Sequence, residues 1–250
     1  MGILKSFLMA LGMFSTIPVP RNSWNDKYMN LVILNLMLVG FFIGSIWFIL
    51  TSFLLTMDMP ILITSSLVLL IPFFLSGFLH VDGYMDTADA IFSRRDTSEK
   101  RRILKDSSVG AFAVIALVCL MLLQFSIIHT ILMQNRCLFI FIFITIISRA
   151  VAGLAVLNLK PISETGYMAT FKLNTDIRHS IVIVLTIVIT LIIAYIVGGV
   201  DLIAPLIISL IASAFMTFYV YKQLQGFSGD LCGWVITTSE LCGLLFFAIL

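Results

Sequence analysis

Charge is scarce in this chain. Asp, Glu, Lys and Arg make up 11% of its 250 residues, less than half the share found in soluble domains. Hydrophobic residues supply 60%, with 21 phenylalanines among them, and the mean hydropathy is +1.13. An ordinary soluble fold is excluded. A net charge of +2 gives no signal for a nucleic-acid partner, and none is expected. Cysteine is also rare. Cys119, Cys137, Cys232 and Cys242 are scattered without a CxxC pair, so neither a zinc site nor a disulfide framework is indicated. Residues 1–20 lack an A-x-A cleavage pattern and are expected to form an amphipathic or re-entrant segment closed by Pro18 and Pro20. MGILKS fits a myristoylation pattern, but an acyl chain would add little to a chain this apolar. No internal repeat or domain break is visible. Residues 1–250 are therefore expected to form a single transmembrane catalytic domain.

Long apolar runs fill the remainder. Seven are legible, at roughly 31–56, 61–79, 109–134, 137–158, 180–198, 202–220 and 231–250. Each approaches the ~20 residues of helix that cross a hydrocarbon core. Backbone groups in lipid must pair within the chain, and short alternating strands are absent, so a barrel is excluded. The expected fold class is all-α: a polytopic integral membrane bundle of about seven transmembrane helices plus the N-terminal segment. With the N-terminus placed inside, thirteen of the fifteen Lys and Arg fall on the inner side. The positive-inside rule then predicts a multi-pass protein of the cytoplasmic (inner) membrane, with N-terminus and active site facing the cytoplasm. Arg21 belongs to that inner set. Outer connections are short (57–60, 134–136, 198–201) and inner ones long (80–108, 159–179, 221–230), which puts the working parts inside.

The charge that is present gathers at residues 77–110. Asp82, Asp86 and Asp89 stand at i, i+4 and i+7, on one face of a helix. Three carboxylates at a membrane boundary repel one another and are costly to desolvate unless a cation sits among them. Their spacing suits Mg²⁺, which takes one or two carboxylates and completes its shell with water and phosphate oxygens. Arg94, Arg95, Lys100, Arg101, Arg102 and Lys105 follow directly. Topology alone explains such cations, but acids that bind metal beside bases that bind phosphate also describe a phosphoryl or diphosphate site. Asp106 precedes the third span. Asp230 lies among three glycines in GFSGDLCG, and Glu240 and Arg149 lie within apolar runs. Buried charges there are functional candidates by default.

Five ordered elements resemble the cobalamin synthase (adenosylcobinamide-GDP ribazoletransferase) family. They are FSTIPVP at 14–20, HVDGYMDTADAIFSRRD at 80–96, KDSSVGAFAV at 105–114, SRA at 148–150 and GFSGDLCG at 226–233. The resemblance implies a membrane enzyme that joins α-ribazole, or its 5′-phosphate, to adenosylcobinamide-GDP and releases GMP, with Mg²⁺ as cofactor and the lipid bilayer as surroundings. It implies that Asp82, Asp86 and Asp89 hold metal, with Asp106 a further ligand. Arg95, Lys105, Arg149, Asp230 and Glu240 are then the substrate- or phosphate-binding candidates. His80 or one of the carboxylates would take the proton of the attacking hydroxyl. Two elements depart from the family: Thr237 stands where a Glu is usual, and KPISETGYM has Gly166 but no Arg.

Other classes fit less well. CDP-alcohol phosphatidyltransferases cluster aspartates in the order D-x-x-D-G-x-x-A-R, whereas here Gly83 follows the first Asp and no A-R appears. Prenyltransferase patterns are absent. An ion-coupled secondary transporter would use intramembrane charges as coupling sites, but these acids gather at one membrane face.

Overall fold

The computed structural model describes residues 2–20, 24–173 and 175–250; Arg21, one of the expected inner cations, lies outside them. Among the described residues no strand forms, and the chain runs through α1 (Gly2–Phe14), α2 (Met29–Val32), α3 (Leu36–Leu55), α4 (Ile61–Leu75), α5 (Leu79–Phe92), α6 (Thr97–Ile103), α7 (Ala111–Met133), α8 (Ile140–Asn158), α9 (Tyr167–Lys172), α10 (Ile177–Leu224) and α11 (Gly229–Ile249). The expected all-α membrane bundle is what the chain forms.

Five helical stretches are long and apolar enough to cross a bilayer: Asp26–Leu55, α7, α8, α10 and α11. A sixth follows if α4 and α5 are taken as one broken span. The seventh expected run is hidden inside α10. At 1.5 Å per residue its 48 residues would extend ~72 Å, more than twice a hydrocarbon core. Its backbone leaves helical geometry at Gly198 and Gly199, the latter at φ +60°, which divides it into two arms. Both arms end at the same side of the bundle, because Phe227 and the 160–162 segment exchange hydrogen bonds: Phe227 N–H to Lys160 at 2.9 Å and Ile162 N–H to Phe227 at 2.9 Å.

α8 is the central helix. Gly40 and Gly44 of α3 sit directly against the backbone of residues 141–145, where any side chain would collide, and the Thr145 hydroxyl donates to the Gly40 carbonyl at 2.8 Å. Small residues at a helix crossing permit this approach in lipid, where packing drives association. The first arm of α10 turns Ile181, Leu185, Ile189 and Ile196 outward, as a lipid-facing helix would. α1, with 13 residues, is too short to span.

The run expected at 61–79 ends early, at Leu75. Gly77 and Phe78 both take left-handed backbone, at φ +60° and +61°, and the chain turns by 89° into α5. Thr16, from the FSTIPVP element, caps the end of α4: its N–H donates to Leu75 at 2.8 Å and its hydroxyl to Phe74 at 3.0 Å. The 80–108 connection is thus not an extended loop. It is mostly α5 and α6, with α5 laid across the ends of α7 and α11.

Candidate active site

α5 is held from two sides. Tyr84 stacks on Trp234 of α11 with ring centroids 5.0 Å apart, and its hydroxyl donates to Ala116 of α7 at 3.3 Å. Two glycines let α5 and α11 touch along their backbones. A Cβ on Gly83 would stand 2.7 Å from the Asp230 carbonyl oxygen, and one on Gly233 would stand 2.6 Å from that of His80. This contact brings Asp230 to the aspartate face of α5. Asp86 lies within electrostatic range of Asp82, Asp230 and Asp89, so four carboxylates share one region.

Two cavities meet there. The larger, about 540 Å³, is lined by His80, Asp82, Lys105, Asp230 and apolar side chains from α1, α3, α8 and the 161–171 segment. The smaller, about 20 Å³, lies between Asp82, Asp86 and Asp89 on one side and Ser108 to Gly110 on the other; it has room for about one water or ion. Asp82 is on the wall of both. Gly110 is required by this arrangement: a Cβ there would overlap the Asp89 carboxylate.

The structure distributes the remaining candidates unevenly. Asp106 does not line the cleft that the three aspartates share: its carboxylate accepts from the Ser108 N–H at 3.0 Å and faces Arg102 at 3.8 Å. The Ser108 amide and hydroxyl, and then Arg102, hold it below the usual carboxylate range. Lys105 reaches the large cavity, whereas Arg95 is exposed on the turn after α5. Arg149 and Glu240 are brought to each other. They form a buried ion pair to which the Ser148 hydroxyl donates at 2.7 Å, and neither lines either of these two cavities. Arg149 thereby finds its partner in an acid of the protein. The basic run is also partly structural. Lys100 bonds the Gln223 side chain, and Arg101 donates to Leu224 and Gln225 carbonyls at 2.8 and 2.9 Å, capping the end of α10 where a cation is favoured. Arg102 pairs with Glu99 at 2.8 Å. His80 is buried beside the large cavity, and its enclosed Nε2 has no partner among the described residues.

Among the described residues no three His, Cys, Asp or Glu side chains converge as a ready-formed metal cage. The donor set is nonetheless all oxygen, and none of the four aspartates makes an ion pair among the described residues. Mg²⁺ requires only one or two protein carboxylates, with water and phosphate completing its shell. The chemistry of the donors and the cradle at Gly110 fit such an ion.

Fold and site together define a polytopic helical membrane protein with a ligand-sized cavity beside a carboxylate cluster at one end of its bundle. Among known proteins, residues 6–248 match the CobS family, described as cobalamin-5-phosphate synthase, and the chain belongs to that family. An adenosylcobinamide-GDP ribazoletransferase of Clostridium perfringens (strain 13) is 33% identical over 98% of both chains. One from Clostridium botulinum (strain Alaska E43) is 33% identical over 97% of this chain and 96% of its own. One from Lachnoclostridium phytofermentans is 32% identical over 95% and 91%. No solved structure matches.

Proposed function

We propose that this chain is a transferase of cobalamin biosynthesis that joins α-ribazole, or its 5′-phosphate, to adenosylcobinamide-GDP and releases GMP. Family membership and the names of the relatives support the reaction. The observation that carries the site is the position of Asp82, shared between the ligand-sized cavity and the ion-sized cleft.

In this reading a ribose hydroxyl in the large cavity attacks the phosphorus that bears the cobinamide arm, and the GMP oxygen leaves. The Asp230 carboxylate, half-buried at the cavity and hydrogen-bonded to the Ser228 hydroxyl at 3.3 Å, takes the proton of that hydroxyl. Lys105 Nζ meets phosphate oxygens at the cavity. Asp82, Asp86 and Asp89 would hold Mg²⁺, which would neutralise phosphate charge as the leaving group departs. The end of the bundle that carries the site faces the cytoplasm from the inner membrane, as the excess of Lys and Arg on that side supports.

The test uses membranes containing the protein. With adenosylcobinamide-GDP, α-ribazole and Mg²⁺ they should release GMP and form a corrinoid product, and chelation should stop the reaction. Absence of product at every Mg²⁺ concentration would sink the assignment.

A further inference from the structure

We propose that the 540 Å³ cavity is the pocket for the acceptor's base, a flat and largely apolar heteroaromatic ring, and that the corrin ring stays outside it. This rests on the ribazole-transfer reading and deepens it, because both nucleotide ends of the reaction are otherwise candidates for the same space.

The lining is graded. Asp82 and Lys105 are exposed and mark the mouth, whereas Ile33, Leu36, Val156 and Phe171 are buried and form the floor. Phe14 and Phe171 meet with ring centroids 6.4 Å apart on one wall. The volume lies within the range that small ligands occupy. A corrin macrocycle with its adenosyl group and amide arms is larger than this space, so of the donor only the guanosine end could compete for it.

Polar satisfaction separates guanine from benzimidazole. Guanine carries several donors and acceptors around its edge, and an apolar floor would leave them unpaired, which is unfavourable for each group. A benzimidazole attached to ribose has a single free ring nitrogen, an acceptor. With the base on the floor, the ribose stands at the mouth, beside Asp82 and Asp230. A benzimidazole thus leaves one polar atom to satisfy on the apolar floor, where guanine would leave several.

Initial rates of GMP release, with each substrate varied separately, test this. Phe171→Ala should raise KM for α-ribazole about tenfold, the effect of losing roughly 1.4 kcal/mol of apolar contact, and leave KM for adenosylcobinamide-GDP unchanged. An unchanged acceptor KM, or a rise in the donor KM instead, overturns the pocket. Because Phe171 is buried, a second measurement uses the unaltered protein. α-Linked benzimidazole riboside should compete with α-ribazole, while guanosine at the same concentration should leave the rate unaffected; equal inhibition by guanosine overturns the proposal. Unaltered membranes that release no GMP would overturn the reaction and the pocket together, whereas active membranes with an unmoved acceptor KM overturn the pocket alone.

Discussion

A Cβ built on Gly83 would stand 2.7 Å from the carbonyl oxygen of Asp230 and 2.8 Å from its Cα. The absent side chain of Gly83 is what lets α11 begin against α5, and so what adds a fourth carboxylate to the three on the helix. Gly83→Ala must therefore separate the two backbones, because the atoms it would meet are main chain and cannot swing aside. A displacement near 1 Å at a reacting group costs on the order of 10²-fold in rate. The variant should insert normally and lose turnover by about that factor, measured as GMP release per unit of membrane-inserted protein.

Asp82, Asp86 and Asp230 should each be intolerant of the Asn replacement, while Asp106 should not. Losing a charged group at a phosphoryl-transfer site typically costs about 10²–10³-fold in rate. Asp106 is instead engaged with the Ser108 N–H and Arg102, so Asp106→Asn should lower activity less than about tenfold on the same scale. A loss at Asp106 equal to that at Asp82 would place it back among the metal ligands. The Mg²⁺ dependence distinguishes the other two roles: Asp86→Asn should demand more Mg²⁺, and Asp230→Asn should lose rate at an unchanged Mg²⁺ requirement.

Much of this is legible from the residues, and what is not has physical causes. The i, i+4, i+7 spacing alone places Asp82, Asp86 and Asp89 on one face, because helical period is local. The grouping of Asp230 with them is not legible, because it depends on a long-range crossing made possible by Gly83 and Gly233. Nearness in sequence suggests Asp106 as a further ligand, but a turn closed on Ser108 directs it elsewhere. Lys100 and Arg101 have the character of phosphate ligands. Their use as caps for α10 depends on where α10 ends in space, which no local pattern reveals. The break at Gly198 and Gly199 is visible as a short outer connection, whereas the early end of α4 is concealed by an apolar run that continues through the bend.

Gly110→Ala tests the small cleft. The added methyl would overlap the Asp89 carboxylate and force it from its rotamer, a cost of about 0.5–1.5 kcal/mol. Expression should be near normal, since Gly110 precedes α7 and is only half-buried. The Mg²⁺ concentration for half-maximal rate should rise several-fold, and an unchanged value would remove Asp89 from the ion's surroundings.

Orientation can be checked without activity. Ser98 lies exposed on α6, so Ser98→Cys in a background lacking the four native cysteines should react with an impermeant thiol reagent only from the cytoplasmic side. Labelling of intact cells from outside would reverse the proposed topology.

The Arg149–Glu240 pair should matter for stability more than for chemistry. It is buried where α8 meets α11, and the Ser148 hydroxyl also donates to Glu240. Removing one partner from such a pair leaves an unpaired buried charge, at a cost of about 3–5 kcal/mol, whereas replacing both by apolar residues is often neutral. Glu240→Leu alone should therefore lower the thermal midpoint in detergent and the yield of inserted protein. Arg149→Leu with Glu240→Leu should recover most of both. The catalytic readout separates this from a substrate-binding role. If the pair only joins α8 to α11, the double variant should turn over α-ribazole with a KM close to that of the unaltered protein. A stable double variant whose KM for either substrate rises more than about tenfold, a loss of roughly 1.4 kcal/mol of binding, would show that Arg149 reaches the substrate after all.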